Sequence, residues 1–409
     1  MTATAEAKVR VLFVDDDANL LRAQRRMLRP QRDEWEMTFV DGGQAALEHM
    51  AGHPVDVLVT DMRMPGMDGA ELLTHVSERH PGAIRVILSG FAEAETVARA
   101  VGISHQYLDK PCGPDRLIAV VRRLLKVRGL VTDTRLREFV AGFKKLPSPP
   151  TAYRRFMAEV ENPATTTASL AAAIEADVGL SAKVLKLTNS AYFGLPARIA
   201  DIGQAVKMLG LDTMRSLVAV SAFLAEFEDD PALAGRIETL SRRSSVIGAL
   251  ARDIMAAEGA ATETQCSACA AGLLSHVGTL LLLANCPDGF RSAGDLADER
   301  HVPYIDVERN VFGATHAELG AYLLGLWGFD ETIVEAVAFH HAPSSLPEPS
   351  FGVTTVLHVA QALVKPAARE PATLGAGIDM DHLSALGMAD RLDAWREIAD
   401  RRMSERSAA

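Results

Sequence analysis

The chain has 409 residues, of which 48% are hydrophobic and 23% are charged, and its formal net charge is −11. This length predicts two or three domains, and the composition is typical of a soluble globular protein. Residues 1–126 carry 18 acids and 16 bases, whereas the remainder carries 35 acids and 26 bases. Because proteins that bind DNA usually carry a basic surface, this acidic excess argues against a DNA-binding output.

The sequence also indicates a cytoplasmic protein. We find no apolar run that approaches the roughly 18 residues of a membrane-spanning helix. Residues 1–8 lack the apolar core of a signal peptide. We therefore expect neither a membrane nor a nucleic acid as a partner.

Four short apolar segments in the first third of the chain predict buried strands, with helical patterns between them. They are residues 9–14, 57–60, 85–88 and 106–109. Alternation of strand and helix predicts a parallel sheet covered on both faces, and such sheets place their chemistry at the carboxyl ends of the strands. The polar residues that follow the four segments are therefore candidate site residues: Asp15, Asp16 and Asp17, then Asp61, then Ser89, then Lys110.

This set of side chains suits phosphoryl chemistry. Carboxylates crowded together repel one another and favour an oxygen-seeking divalent ion such as Mg²⁺, while a nearby ammonium and hydroxyl suit a phosphoryl group. The motifs DDD, TDMRMPGMDG, LSG and YLDKP stand in this order along the chain. In order and spacing they resemble the receiver domain of two-component response regulators, over roughly the first 125 residues.

The resemblance implies a doubly wound α/β fold with a five-stranded parallel sheet of the flavodoxin type, and it assigns roles to single residues. Asp61 would accept phosphate from a histidine kinase. Asp16 and Asp61, with the backbone carbonyl of Arg63, would hold Mg²⁺, and Asp15 would support the ion through water. Lys110 would contact the phosphoryl group. Ser89 and Tyr107 would form the switch pair.

Proline-rich residues 146–150 mark a domain boundary. We predict a receiver over residues 1–126, a helical linker over 127–145 and an output domain over 146–409. The linker helix can form a homodimer contact, or it can be a surface helix folded onto the next domain.

From residue 151 onward the apolar pattern is helical, and we find almost no strand signal. This pattern predicts an all-α domain with helices over residues 153–160, 168–175, 179–190, 202–209, 213–226, 240–258, 264–284, 316–327, 330–339, 354–364 and 392–403.

Several strings in this region resemble the HDOD output domain, a degenerate relative of the HD metal-dependent phosphohydrolases. They include Leu146-Pro147-x-x-Pro150, Leu187-Thr188-Asn189-Ser190-Ala191-Tyr192-Phe193-Gly194, Gly272-Leu273-Leu274 and Thr315-His316-Ala317-Glu318-Leu319-Gly320. The resemblance covers most of residues 146–400. It implies a signalling platform without established catalysis.

An HD phosphohydrolase needs a His-Asp pair to hold its metals. Here Ser275 and His276 stand at the corresponding positions, and the helix expected to carry the upstream metal histidine shows Ser244 and Ser245. The remaining candidates are His276, His316, His340, His341 and His358. They can be hydrogen-bonded residues of a former cleft, or they can bind Zn²⁺ if they converge.

The sequence thus favours a non-catalytic output that acts through protein contacts with a downstream partner. Two alternatives remain open: a cyclic-dinucleotide phosphodiesterase like the HD-GYP relatives, and a domain that senses a nucleotide without cleaving it. Cys266 and Cys269 form a C-x-x-C, which we interpret as small residues of a helix rather than a zinc or redox site.

Overall fold

The computed structural model describes residues 8–89, 104–128, 164–189, 199–208, 231–346, 348–364 and 377–407, with isolated positions between them. The chain divides into two compact units, the first formed mainly by residues 1–144 and the second mainly by residues from 145 onward. The predicted linker falls largely outside the described residues.

The first unit is a five-stranded parallel sheet with the strand order β2-β1-β3-β4-β5. Its elements are β1 (Val9–Val14), α1 (Ala18–Met27), β2 (Trp35–Val40), α2 (Gly43–Gly52), β3 (Val57–Asp61), α3 (Gly69–Arg79), β4 (Ile84–Ser89), β5 (Gln106–Asp109) and α4 (Pro114–Arg128). This confirms the doubly wound α/β class. The sequence-based prediction named neither β2 nor α3 individually.

Side-chain caps fix the start of two helices that follow strand ends. The Asp17 carboxylate accepts a hydrogen bond from Asn19 N at 2.7 Å and so opens α1. At α3 the Asp68 carboxylate accepts from Glu71 N at 2.7 Å, while Glu71 Oε2 accepts from Asp68 N at 3.1 Å. This reciprocal pair satisfies two backbone donors that the helix itself leaves without partners. The loop after β3 therefore ends at a defined residue.

The second unit is helical in most of its described residues. Its elements are β6 (Pro147–Ser148), α5 (Thr167–Glu175), α6 (Val178–Thr188), β7 (Ala225–Glu226), α7 (Pro231–Ala257), α8 (Thr262–Leu274), α9 (Val277–Asn285), α10 (Pro287–Arg300), α11 (Tyr304–Phe312), α12 (His316–Leu326), α13 (Glu331–Phe339), α14 (Val353–Leu363), α15 (Met380–Ala385) and α16 (Leu392–Ser407). Residues 202–208 are also helical, and most of the predicted segments 153–160 and 213–226 lie outside the described residues.

The second unit differs from the expected all-α pattern in several details. β6 and β7 form a two-residue parallel pair, and β7 lies at the end of the helix predicted over residues 213–226. The helix predicted over residues 264–284 is two helices, because the chain turns at Ser275 and His276. Helices α10, α11 and α15 were not predicted; proline opens α10, and polar residues interrupt the apolar pattern of α10 and α11.

Glycine allows the backbones of α9 and α12 to approach each other. Gly278 lies so close to the carbonyl group of His316 that any β-carbon at position 278 would clash with the carbonyl oxygen. A side chain there would push the two helices apart. The Gly278 contact therefore holds His276 and His316, which begin these two helices, near each other.

Among the described residues, one apolar segment has the length and composition of a membrane-spanning helix, contrary to the expectation from the sequence. Residues Thr262–Asn285 contain an 18-residue window of mean hydropathy 1.7. Alanine, cysteine and leucine residues raise the mean hydropathy of this window, although Ser275 and His276 interrupt the apolar sequence. Because 83% of the window is buried inside the fold, it has the character of a core helix pair.

Candidate functional sites

An acid-lysine cluster lies at the carboxyl edge of the sheet. Lys110 Nζ donates a hydrogen bond to Asp15 Oδ2 at 2.6 Å and forms an ion pair with Asp61 Oδ1. Asp15 and Asp61 are both buried. The ends of β1, β3 and β5 thus deliver two carboxylates and one ammonium to a single point.

Backbone donors orient both carboxylates. Asp61 Oδ2 accepts from Arg63 N at 2.8 Å, and Asp15 Oδ1 accepts from Asp17 N at 3.0 Å. Gly69 packs against the carbonyl group of Asp61, where any β-carbon would clash with the oxygen. The two hydrogen bonds restrict the rotation of the carboxylates, and the Gly69 contact fixes the backbone at Asp61.

The environment of Lys110 favours its charged form. Burial disfavours the ammonium, but the hydrogen bonds to Asp15 and Asp61 outweigh this cost, so the pKa of Lys110 is raised above its ordinary value. Lys110 is therefore a fixed positive charge at neutral pH. It offsets the repulsion between the two buried carboxylates.

The other predicted residues of the first unit are placed as follows. Asp16 is exposed beside the cluster, and the side chain of Arg63 is exposed in the loop after β3. Ser89 ends β4 and pairs with Asp109 in register, while Tyr107 lies in β5. The side chains of Ser89 and Tyr107 lie outside the described residues.

A second cluster, in the helical unit, consists of imidazoles. The ring centroid of His316 lies 5.6 Å from that of His340 and 4.9 Å from that of His341, and His340 and His341 are 4.0 Å apart. One ring nitrogen from each of the three lies within 4.8 Å of the other two. The predicted candidates from α12 and from the end of α13 therefore converge.

Glu308 is a buried member of this cluster that the sequence reasoning missed. His316 Nδ1 lies 2.7 Å from Glu308 Oε2, and the same oxygen accepts from His316 N at 2.9 Å. Glu308 has no solvent exposure. The available signal was its position in α11, where it continues the apolar face formed by Tyr304 and Val307.

His276 lies beside the three imidazoles with a different set of partners. Its ring is 5.8 Å from that of His316. Its Nδ1 lies 3.1 Å from the hydroxyls of both Ser244 and Ser275, and Gln361 Nε2 lies 3.4 Å from its Nε2. Hydroxyl and amide groups therefore surround His276.

Burial keeps three of these imidazoles neutral. It lowers the pKa of His340 to about 3, with a further contribution from His316. Burial, followed by the neighbouring His340 and His316, also lowers the pKa of His341 well below its ordinary value. Burial, followed by the nearby Arg243 guanidinium, lowers the pKa of His276 well below its ordinary value. Neutral imidazoles can act as hydrogen-bond acceptors or as metal ligands.

His358, the remaining candidate, has partners on both ring nitrogens. Its Nδ1 lies 2.8 Å from the His340 carbonyl oxygen, and its Nε2 accepts from Asp379 N at 2.8 Å. These bonds leave no ring nitrogen of His358 available to the cluster.

The two cysteines of the C-x-x-C are free thiols on α8. Burial raises the pKa of Cys269 to about 12 and also raises that of Cys266. A metal or redox site requires the thiolate, which this environment disfavours.

Comparison with protein families accounts for both units. Residues 11–122 match the response regulator receiver domain, and residues 146–343 match the HDOD domain. The chain is a response regulator with a receiver domain and an HDOD domain. The acid-lysine cluster belongs to the receiver domain and the imidazole cluster to the HDOD domain. Receiver domains generally use Mg²⁺ and are phosphorylated by sensor histidine kinases.

The curated relatives match parts of this response regulator. The hydrogenase transcriptional regulatory protein HoxA of Cupriavidus necator is 34% identical over 131 residues, which cover 32% of this chain and 27% of HoxA. An uncharacterized protein of Treponema pallidum is 26% identical over 301 residues, which cover 72% of this chain and 55% of that protein. The matched segments thus span between about a quarter and about half of these relatives.

Among solved structures, the MmoQ response regulator of Methylococcus capsulatus is 20% identical to this chain. The match covers 62% of this chain and 98% of MmoQ, with a TM-score of 0.44.

Proposed function

We propose that Asp61 of the receiver domain accepts a phosphoryl group from a sensor histidine kinase. The observation that carries this proposal is the convergence of Asp61, Asp15 and Lys110 at the carboxyl edge of the sheet. In this reaction an oxygen of Asp61 bonds to phosphorus as the bond from phosphorus to the kinase histidine breaks. The Lys110 ammonium offsets the negative charge on the phosphoryl oxygens.

The same residues fit a bound Mg²⁺. Two buried carboxylates converge there and the exposed Asp16 lies beside them, so the donor set consists of the oxygen ligands that Mg²⁺ prefers. In our proposal Asp16, Asp61 and the carbonyl oxygen of Arg63 hold the ion, and Asp15 supports it through water. The ion would supply positive charge to the transferring phosphoryl group.

Phosphorylation would then control the output domain. We assign residues 1–126 to the receiver, 127–145 to the linker and 146–409 to the output, with Ser89 and Tyr107 as the switch pair. The output would act in the cytoplasm by contact with a downstream signalling protein. Incubation with a small phosphodonor and Mg²⁺, followed by mapping of acid-labile phosphate, tests the assignment; we expect phosphate on Asp61 alone.

We further propose that the HDOD domain does not hydrolyse cyclic dinucleotides. Two adjacent metals need a bridging carboxylate. Ser275 and His276 stand where working HD enzymes carry histidine and aspartate. Moreover, in the described part of the HDOD domain the only convergent group of three or more metal-ligating side chains consists of the imidazoles of His316, His340 and His341.

Our proposal and the phosphodiesterase alternative predict opposite results with cyclic dinucleotides. In our proposal, purified protein supplied in turn with Mn²⁺, Fe²⁺ and Zn²⁺ leaves these substrates intact over hours, as a heat-inactivated sample does. A His276→Asp variant is the informative companion, because it restores an acid at that position and should also remain inactive without a histidine at position 275. Turnover by the wild-type chain well above the heat-inactivated control would refute the proposal.

A further inference from the structure

We propose that the HDOD domain binds a single divalent transition-metal ion, Zn²⁺ by preference, through His316, His340 and His341. The three rings bring one nitrogen each to within 4.8 Å of one another. A tetrahedral zinc site places its nitrogen ligands roughly 3.3 Å apart, given zinc-nitrogen bonds of about 2.0–2.1 Å. Small side-chain rotations therefore suffice to complete the coordination.

The hydrogen bonds of two rings leave lone pairs available to the metal. His340 Nδ1 lies 2.8 Å from the carbonyl oxygen of Val337, which can only accept, so Nδ1 carries the proton and Nε2 carries the lone pair. His340 is fully buried, and its Nε2 has no hydrogen-bond partner among the described residues. A buried acceptor without a partner is costly unless it has a ligand.

Glu308 fixes the position of the proton on His316, as the Val337 carbonyl does on His340. Its carboxylate faces His316 Nδ1 at 2.7 Å and therefore directs a neutral ring to present Nε2. That Nε2 lies 3.1 Å from His341 Nε2. A carboxylate behind a ligating histidine fixes the ring and strengthens it as a ligand. Glu308 is thus a positioning residue.

The charge of Glu308 supports the same conclusion. Glu308 has no solvent exposure, and its Oε1 has no hydrogen-bond partner in the described residues. A buried carboxylate is unfavourable without a compensating positive charge. A divalent cation held by His316 would supply that charge.

The donor type selects the metal. Imidazole nitrogens favour Zn²⁺ and similar transition metals, whereas Mg²⁺ and Ca²⁺ require oxygen ligands. The convergent group in the described residues lacks a carboxylate ligand that could bridge to a second ion. The site is therefore mononuclear, with three protein ligands and a fourth position for water or another small ligand.

A competing arrangement explains the distances from His316 to Glu308 and to His341 by an additional proton on His316 instead of a metal ion. If His316 is doubly protonated, it pairs with Glu308 through Nδ1 and donates to His341 through Nε2. This arrangement needs no metal, and His340 Nε2 stays without a partner. It predicts no zinc affinity above background.

Zinc titration of the full chain against a chromophoric chelator distinguishes the two arrangements. Excess Mg²⁺ should be present to occupy the receiver acids. We expect one Zn²⁺ per wild-type chain, an affinity at least about 100-fold lower in His341→Gln, and a loss of about 10- to 100-fold in Glu308→Gln. His382→Gln is the matched control, since His382 is a buried histidine of the same domain that bonds to Thr355, and it should bind like wild type.

His341 is only partly buried, so its variant should fold, and circular dichroism checks this. Co²⁺ substitution identifies the ligands, because an imidazole site lacks the sulfur charge-transfer absorption of a site built on Cys266 and Cys269. Wild-type affinity no higher than that of His341→Gln would overturn the proposal. Sulfur absorption in the cobalt form would overturn it as well.

Discussion

An Asp61→Asn chain is expected to take up no acid-labile phosphate from a small phosphodonor in Mg²⁺. Asparagine keeps the shape of the side chain but is a far weaker nucleophile than a carboxylate. It also removes one of the two negative charges that Lys110 contacts. We expect labelling to fall from stoichiometric to background. Quantification of phosphate by intact mass or by a radiolabelled donor measures the effect.

Asp68→Asn is the matched control for this loss. Asp68 belongs to the same loop but caps α3, and asparagine caps helices about as well as aspartate. This variant should therefore label like wild type. If the Asp61→Asn chain still carried acid-labile phosphate, the phosphoacceptor would lie elsewhere.

The helical unit is expected to lose stability steeply in acid when a chelator removes any metal. His276 and His340 are neutral in the fold because burial lowers the pKa of both, to about 3 for His340. The unfolded chain binds their protons as pH falls through the ordinary histidine pKa of 6.5, so it gains protons relative to the fold. Their contribution is complete above pH 6.5 and declines from there toward pH 3.

In the middle of this window His276 and His340 together should contribute at most about 3 kcal/mol per pH unit, since each full differential proton contributes about 1.4 kcal/mol. Carboxylates add their own pH dependence, so the diagnostic quantity is the difference between variants. His340→Gln should reduce the slope by about 1.4 kcal/mol per pH unit. The measurement is urea unfolding followed by helical circular dichroism between pH 6.5 and 4.5.

His301→Asn is the control variant, because it tests whether the removal of an exposed histidine changes the pH dependence of stability. His301 is exposed and has a φ of 54°, a left-handed conformation that asparagine tolerates. It should leave the slope unchanged. An unaltered slope in His340→Gln would mean that His340 is protonated in the fold.

The receiver fold and the positions of its acids could be predicted because the relevant signals are local. Each strand is a short apolar run, and parallel strands deliver their carboxyl ends to one edge of the sheet. Asp15, Asp61 and Lys110 are therefore brought together by topology alone. The hydrogen bonds that orient the two carboxylates, from the backbone of Asp17 and Arg63, depend on loop geometry that the pattern does not specify.

The imidazole cluster could be predicted only in part. The histidines were visible as candidates, but whether they converge depends on how α9, α12 and α13 pack. Glu308 was missed because an acid on an otherwise apolar helix face has no short-range partner in sequence. Its partner His316 lies eight residues later, beyond the end of α11 and at the start of the next helix.

We propose that phosphorylation of Asp61 controls the HDOD domain. Hydrogen exchange of the full chain, with and without a small phosphodonor in Mg²⁺, tests this control. We expect phosphorylation to change amide protection in helices of the HDOD domain as well as in the receiver, and to change neither in Asp61→Asn. Changes confined to residues 8–128 of the phosphorylated wild-type chain would contradict the claim.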